Sequence, residues 1–503
     1  MGMKREAVLA VAVAATAISL SSSAADRWVA VNEDNDHYFT TRGEEGMTVG
    51  ALEAYIDRMA GGKVTHFFMC PSGQRPSYDS KAWEPIWTGL EEPGGATSRW
   101  GRNAKLLRDR GVDIYAVWIR RCRERGISPW LSPRMNDAHN ADREWPIRNT
   151  TFWRTRTDLH CNTNGFGRGV LNFAYDEVQD YTFALVKEQL DRYDPDGMEL
   201  DFMRFSSYFP HDIASNCTHH LDRFVKRVRD YVDLKSRERG RRILLGVRVA
   251  TRPRVARGRG MDVGKWVREG WVDVVCASDG WRTPDYNMQA AEWRACFGGA
   301  AGRVTLLAGC DHGVTAYNWN RTDMTPGFYA GFADVVWGNG FDGVYLFNAI
   351  YLDKALATVC AKGLFPEDLP AYRRRYPVSF LAETVGNDGD EKQLPKLSDR
   401  ENRFTVRLGA RPVGEVSVFI GVLQEGEFAP EATLNGVKAT SSRQSGMEIS
   451  GRDHPELRRK YNGRRYFFPS AAVHPGADNV IELKPSETRM SIVWCEIMLE
   501  AVR

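Results

Sequence analysis

The sequence predicts an α/β protein, a (β/α)8 TIM-type barrel followed by a small all-β sandwich. Three observations predict it. Between residues 26 and 375, eight apolar strand-like segments alternate strictly with helical patterns. Alternation of this kind builds a parallel sheet, and eight units close it into a barrel. From residue 376 the helical spacing stops, and short apolar–polar alternations with turns between them take over. That is the pattern of stacked antiparallel sheets. The length of 503 residues exceeds what one barrel needs and leaves room for the second module, residues 376–503.

The first 25 residues read as a targeting segment. Lys4-Arg5 precedes an apolar run from Ala7 to Leu20, and Ser21-Ser22-Ser23-Ala24-Ala25 follows. This is the charged, apolar, small-residue order of a secretory signal peptide. The mature chain is expected to begin at Ala25 or Asp26 and to be secreted or periplasmic. The apolar run is short for a bilayer span, and nothing later is long enough, so no membrane span is expected.

Trp28 to Asn35 is strand one, and Thr48 to Met59 has helical spacing. Val64 to Cys70 is strand two, followed by a long aromatic loop with Tyr78, Trp83, Trp87 and Trp100. Val112 to Arg125 is helical, and Pro129 to Asp137 is strand three. A polar loop carries His139, Trp145, Trp153 and His160. The next helix shows Val178, Tyr181, Leu185, Leu190 and Tyr193 on its spacing, and Asp194-Pro195 stops it.

Strand four, Asp196 to Phe205, is the stretch that matters most. Met198, Leu200 and Phe202 alternate with Glu199, Asp201 and Met203. The apolar set faces a layer of helices, so the other set faces the barrel interior. Two carboxylates pointing inward are costly unless paired or bound to something. The plain alternative is a buried salt bridge to Arg134 or Arg204.

Cys217 to Arg239 is a long helix, and Ile243 to Ala250 is strand five. Asp262 caps a short helix to Glu269. Val272 to Asp279 is strand six, Gln289 to Phe297 is helical, and Val304 to Asp311 is strand seven. Thr325-Pro326 opens a helix to Trp337. Gly343 to Asn348 is strand eight, and Asp353 to Ala361 the last helix. In the second module, strands are expected over 404–408, 415–421, 432–434, 466–468, 479–483 and 490–499, with a hairpin turn at Asn435-Gly436.

Barrel enzymes place their chemistry at the carboxyl ends of the strands. Here those ends collect Asp34, then Arg134, Asn136, Asp137 and His139, then Glu199, Asp201 and Arg204. Strand five adds Arg248 and Arg252, strand six Asp279 and Trp281, strand seven Asp311 and His312, and strand eight Asn348. Acids, amides, arginines and indoles in one place suit a carbohydrate. Carboxylates do acid–base work, amides and guanidiniums hold hydroxyls, and indoles stack on sugar faces. Singly, each Asp reads as well as a helix cap or loop residue.

The formal charge of +3 and the absence of a long Lys/Arg block argue against a nucleic-acid partner. Nine Cys occur without a CxxC pair, and Cys161 with Cys217 can pair in an exported chain. His is scarce, at 10, so His-based metal ligation is not expected; an oxygen-only Ca²⁺ site among Asp34, Asp36 and Asp137 stays open. No cofactor is expected.

The run from Asn172 to Phe205, with Pro129 to His139 before it, resembles secreted barrel glycoside hydrolases, in particular the "glycosyl hydrolase-like 10" type proteins of polysaccharide-degrading bacteria. Residues 196–203 also resemble the DGxDxDxE strand of family 18 chitinase-like enzymes, with Glu199 and Asp201 on its two inner acids. Met203 stands at the proton-donor position, and a thioether cannot donate a proton. Ala432 to Lys438 and Pro475 to Ile481 resemble the galactose-binding-like, jelly-roll sandwiches appended to many glycosidases.

The resemblance implies a hydrolase acting on a polysaccharide or oligosaccharide. Such enzymes use two carboxyl groups. Asp201 is expected as nucleophile or base and Asp279 as acid, by analogy with barrel glycosidases that draw on strands four and six. Asp311 is the alternative acid, and Glu199 holds Asp201 or a hydroxyl. The remaining strand-end residues bind substrate. The rival reading is a non-catalytic glycan-binding platform.

Overall fold

The computed structural model describes residues 27–91, 97–139, 147–161, 169–278, 280, 282, 284–317, 320–378, 393–411, 413–450 and 458–502. The targeting segment, Trp145, Asp279 and Trp281 lie outside the described residues. None of the described helices is long and apolar enough to cross a membrane.

The strands in chain order begin with β1 (Trp28–Glu33), β2 (His66–Met69), β3 (Ser128–Leu131), β4 (Gly197–Asp201), β5 (Leu244–Val249), β6 (Val274–Ser278) and β7 (Thr305–Cys310). A hairpin of β8 (Gly313–Thr315) and β9 (Arg321–Asp323) follows, and then β10 (Gly343–Leu346). Strands β1 to β7 and β10 form a closed parallel barrel in the order β1-β10-β7-β6-β5-β4-β3-β2. The expected barrel is therefore present, with each strand somewhat shorter than its apolar run.

The helices are α1 (His37–Thr41), α2 (Val49–Asp57), α3 (Arg99–Asp109), α4 (Ile114–Glu124), α5 (Thr151–Thr155), α6 (Asp176–Arg192) and α7 (Thr218–Arg239). They continue with α8 (Pro253–Gly258), α9 (Val263–Arg268), α10 (Ala290–Phe297), α11 (Pro326–Gly338) and α12 (Asp353–Lys362). The cap expected of Asp262 is made, accepting from Lys265 N, and Thr325 accepts from Phe328 N ahead of Pro326. Helix α3 replaces part of the expected aromatic loop. Ser98 caps it, and it buries Trp100, Ala104 and Leu107 beneath a basic outer face.

Parity along the strands sorts the core into two layers. Trp28, Ala30, Phe68, Trp130, Val274, Cys276, Leu307, Tyr345 and Phe347 pack together inside the barrel. Met198, Leu200 and Phe202 join the larger cluster between strands and helices. That leaves Glu199 and Asp201 inward, each only 2% exposed.

The remaining strands are β11 (Arg374–Pro377), β12 (Lys396–Leu397), β13 (Asn402–Arg407), β14 (Val416–Val422), β15 (Ala432–Leu434), β16 (Val437–Lys438), β17 (Ser441–Ser450), β18 (Arg458–Phe468), β19 (Asp478–Leu483) and β20 (Ser491–Leu499). They build two antiparallel sheets, one of order β13-β19-β15-β16. Asn435 and Gly436 take φ of 51° and 79° at the hairpin between β15 and β16, as a type I′ turn requires.

The larger sheet runs β11-β20-β14-β18-β17-β9-β8. Its last two strands are the hairpin that follows β7 of the barrel, joined where Ser450 pairs with Arg321. The sheet thus reaches back to the residues next to Asp311 and His312. Helix α11 is bound to β11 by the buried Arg374–Asp334 pair, 2.7 Å, with the Tyr376 hydroxyl donating to the same carboxylate at 2.6 Å.

Candidate active site

The site is built at the carboxyl ends of the barrel strands. β4 and β5 pair with Asp201 opposite Arg248. From that register Arg248 donates Nε and Nη2 to the two oxygens of Asp201, each at 3.0 Å. Arg248 also donates to Ser278 Oγ at 3.1 Å, and its guanidinium lies 3.7 Å from the Phe347 ring centroid. The Met203 N–H adds a third donor to Asp201.

Glu199 lies one inward step deeper on β4. It accepts from Ser132 Oγ at 2.6 Å and from Tyr345 hydroxyl at 2.9 Å. Burial, reinforced by the negative charge of Asp201, pushes its carboxyl up to about 7. Neighbouring carboxyls of one strand therefore differ in environment: one holds a guanidinium, the other two hydroxyls.

Around this floor stand two Asp–His–Arg relays. After β3, Asp137 Oδ1 meets His139 Nδ1 at 2.5 Å, and Arg204 Nη2 meets His139 Nε2 at 2.7 Å. An arginine can only donate, so Nε2 accepts and Nδ1 carries the hydrogen. Burial is the main reason that the His139 ring is pushed down to about 4. After β7, Asp311 Oδ1 meets His312 Nδ1 at 2.5 Å, and Arg282 Nη2 meets His312 Nε2 at 2.7 Å. The second Asp311 oxygen accepts the Arg282 N–H at 3.2 Å. Burial opposes ionisation of Asp311, but its donors outweigh burial and hold it well below the usual carboxylate range.

Arg134 links the first of these relays to β1. It donates to Asp137 at 2.8 Å and forms a close pair with Asp34. Burial raises Asp34, and the charges of Arg134 and Arg204 outweigh it, so the carboxyl ends below its ordinary value. Asp36 shifts the other way: burial and then the charge of Asp34 raise it. Its oxygens meet the Tyr351 hydroxyl at 3.1 Å and Arg148 at 3.3 Å. The charges of Asp34, Asp137 and Asp311 all act on Arg204, which brings the ends of β1, β3, β4 and β7 into one electrostatic neighbourhood.

Asn136, expected among the substrate-binding residues, is tied to the neighbouring loops. Its amide donates to Leu171 O and Ser207 O and accepts from Leu171 N. It staples two loops, with both N–H groups donated and one lone pair of Oδ1 taken. Asn348 sits at the end of β10 in a left-handed conformation, φ 54°, and its buried Oδ1 has no hydrogen-bond partner. The oxygen-only Ca²⁺ site left open among Asp34, Asp36 and Asp137 finds no support in the geometry. Arg134 sits between Asp34 and Asp137, and among the described residues no group of His, Cys, Asp or Glu is arranged to hold a metal.

Two tryptophans of the aromatic loop pack into the scaffold. Trp83 stacks on Tyr181 at 4.3 Å, and Trp100 donates to Ser77. Cys161 and Cys217 are separate, buried thiols. Sequence reasoning missed Ser132, Tyr345, Arg282 and Tyr351. Tyr345 follows the inward parity of β10 and was findable; Tyr351 and Arg282 lie on irregular turns with no periodicity to mark them.

No family model matches this chain, and no curated protein matches it. Among solved structures, the fold is similar to a cycloisomaltooligosaccharide glucanotransferase of Paenibacillus sp. (TM-score 0.36, 9% identity, 95% of this chain and 58% of that one). It is also similar to the endo-β-1,4-mannanase of Thermotoga petrophila (TM-score 0.41, 11% identity, 93% and 97%). A third is α-L-fucosidase isoenzyme 2 of Paenibacillus thiaminolyticus (TM-score 0.43, 14% identity, 67% and 50%). The chain spans just over half the length of the glucanotransferase.

Proposed function

We propose that this chain is an exported glycoside hydrolase acting on a polysaccharide or oligosaccharide. One observation carries the reading: Glu199, pushed up to about 7, stands two residues from Asp201, whose two oxygens Arg248 fills. A protonated carboxyl beside a negatively charged one is the division of labour that glycosidic cleavage needs.

In this reading Asp201 is the nucleophile or base and Glu199 the proton donor, with Asp279 the alternative donor. Asp311, held ionised, serves binding rather than proton donation. Asp34, Arg134, Asp137, His139, Arg204, Trp281, His312 and Asn348 form the sugar-binding surround. Residues 1–25 direct export, residues 26–375 carry the reaction, and residues 376–503 form the accessory module.

A second reading has one specific support. The paired bonds to Arg248 leave Asp201 little freedom to attack, which suits a glycan-binding platform without turnover. A hydrolysis screen over glycans of varied sugar and linkage decides between them. Wild type should release product, with Asp201→Asn and Glu199→Gln each losing on the order of a thousandfold in rate. Glycan binding with no product from any substrate establishes the platform instead.

A further inference from the structure

Tyr351 is unlike the other side chains at the barrel mouth. As a residue it is 39% exposed, while Asp34, Arg134, Asp137, Asp311 and Asn348 are each below a tenth. The ring is nevertheless fixed in place. Its hydroxyl meets Asp36 Oδ1 at 3.1 Å and Asp34 at 3.4 Å. His37 approaches edge-on at 4.7 Å between centroids, and His312 lies tilted at 5.3 Å. A side chain held at its hydroxyl and flanked by two imidazoles keeps a defined position while part of the residue stays open to solvent.

Asn348 begins the turn that carries Tyr351, whose N–H donates to Asn348 O at 3.2 Å. Asn tolerates the left-handed region when its side chain bonds locally. Here the side chain makes no cap bond, and Oδ1 is buried and unpaired. Asn35, between the two carboxylates that receive the Tyr351 hydroxyl, has neither amide atom paired. A buried acceptor without a donor is costly, so such groups point to something that binds there.

We propose that Tyr351 and Asn348 form a subsite for one neutral pyranose ring of a glycan. The C–H face of the sugar lies on the Tyr351 ring, whose π face is negative and accepts weakly positive hydrogens. A ring hydroxyl donates to Asn348 Oδ1. Tyr351 loses little conformational freedom on binding because it is already held. The inference rests on the glycan reading above, but on binding rather than on turnover.

The test is calorimetric titration of the full chain with short neutral cello-, manno-, xylo-, malto- and galacto-oligosaccharides. Tyr351→Phe keeps the ring, Tyr351→Ala removes it, and Asn348→Gly removes the amide while accepting the left-handed backbone. Thermal melts check that each variant folds. For an oligosaccharide that wild type binds, Tyr351→Ala should weaken binding about tenfold or more and Asn348→Gly about fivefold, with Tyr351→Phe within about threefold. Equal affinity for wild type and Tyr351→Ala overturns the subsite, as does failure of every neutral oligosaccharide to bind or binding of charged glycans only. Binding that depends on Tyr351 without product from any glycan leaves the subsite standing and removes the hydrolase. Hydrolysis with unaltered Tyr351→Ala binding does the reverse.

Discussion

Arg248 grips Asp201 with two parallel hydrogen bonds of 3.0 Å from one strand to the next, and both side chains are 2% exposed. Asp201→Asn therefore does more than remove a reactive charge, because it strands a buried guanidinium. Breaking one partner of a buried pair costs about 3–5 kcal/mol. The variant should lose about that much stability by urea denaturation, besides its activity. The double change Asp201→Asn with Arg248→Met removes the stranded cation. It should recover at least part of the stability and none of the turnover. Recovery of turnover would show that Asp201 acts only through packing.

Glu199 makes stability depend on pH with a defined sign. Its carboxyl sits at about 7 in the fold against an ordinary 4.5. Between those values the folded chain keeps a proton that the unfolded chain releases. Its contribution is fully present below pH 4.5 and is lost as pH rises to about 7, amounting to about 3 kcal/mol. Gln at position 199 cannot ionise. The stability of wild type relative to Glu199→Gln should fall across this window in chemical denaturation, and parallel curves would contradict the assignment. If Glu199 is the proton donor, turnover also falls as pH rises past about 7.

The barrel interior has no spare volume beside β4. A Cβ on Gly197 would lie 2.4 Å from the ring of Trp130, itself fully buried. Gly197→Ala should cost about 1–3 kcal/mol by overpacking. A melting temperature equal to that of wild type would mean that Trp130 moves freely, contrary to its packing against Phe68 and Trp28.

The Arg374–Asp334 pair is wholly buried where α11 meets β11. Asp334→Ala leaves the guanidinium and the Tyr376 hydroxyl without that carboxylate. It should cost about 3–5 kcal/mol, read by denaturation, with saccharide affinity at the barrel mouth unaltered in the folded fraction. A loss of affinity with no loss of stability would contradict a purely architectural role.

The barrel was legible because buried parallel strands are continuous apolar runs, and inward parity on strand four marked Glu199 and Asp201 without any partner in view. Their pairing was not legible: Arg134 or Arg204 was the expected ion-pair partner, and Arg248 is the one that Asp201 meets. That Arg248 faces Asp201 follows from strand register, which no local pattern encodes. Helix α3 was hidden because five of its residues are Arg, Lys or Asp and only one narrow stripe is apolar. The long β17–β18 ribbon was hidden for a related reason. Ser441–Gln444 is exposed throughout, so no alternation betrays it. The bonds of Asn136 to Leu171 and Ser207 were equally hidden, since they join loops far apart in sequence.

The hairpin after β7 lies against β17 and so belongs to a sheet made mostly of later chain. During synthesis all eight barrel strands exist once Leu346 has emerged, yet the hairpin beside Asp311 and His312 finds its neighbour only when Ser450 has been made. Domains tend to fold as they leave the ribosome, and such distant pairings form slowly. The mouth then acquires its shape later than the barrel beneath it, and a product stalled before Ser450 would carry a closed barrel with an unfinished rim.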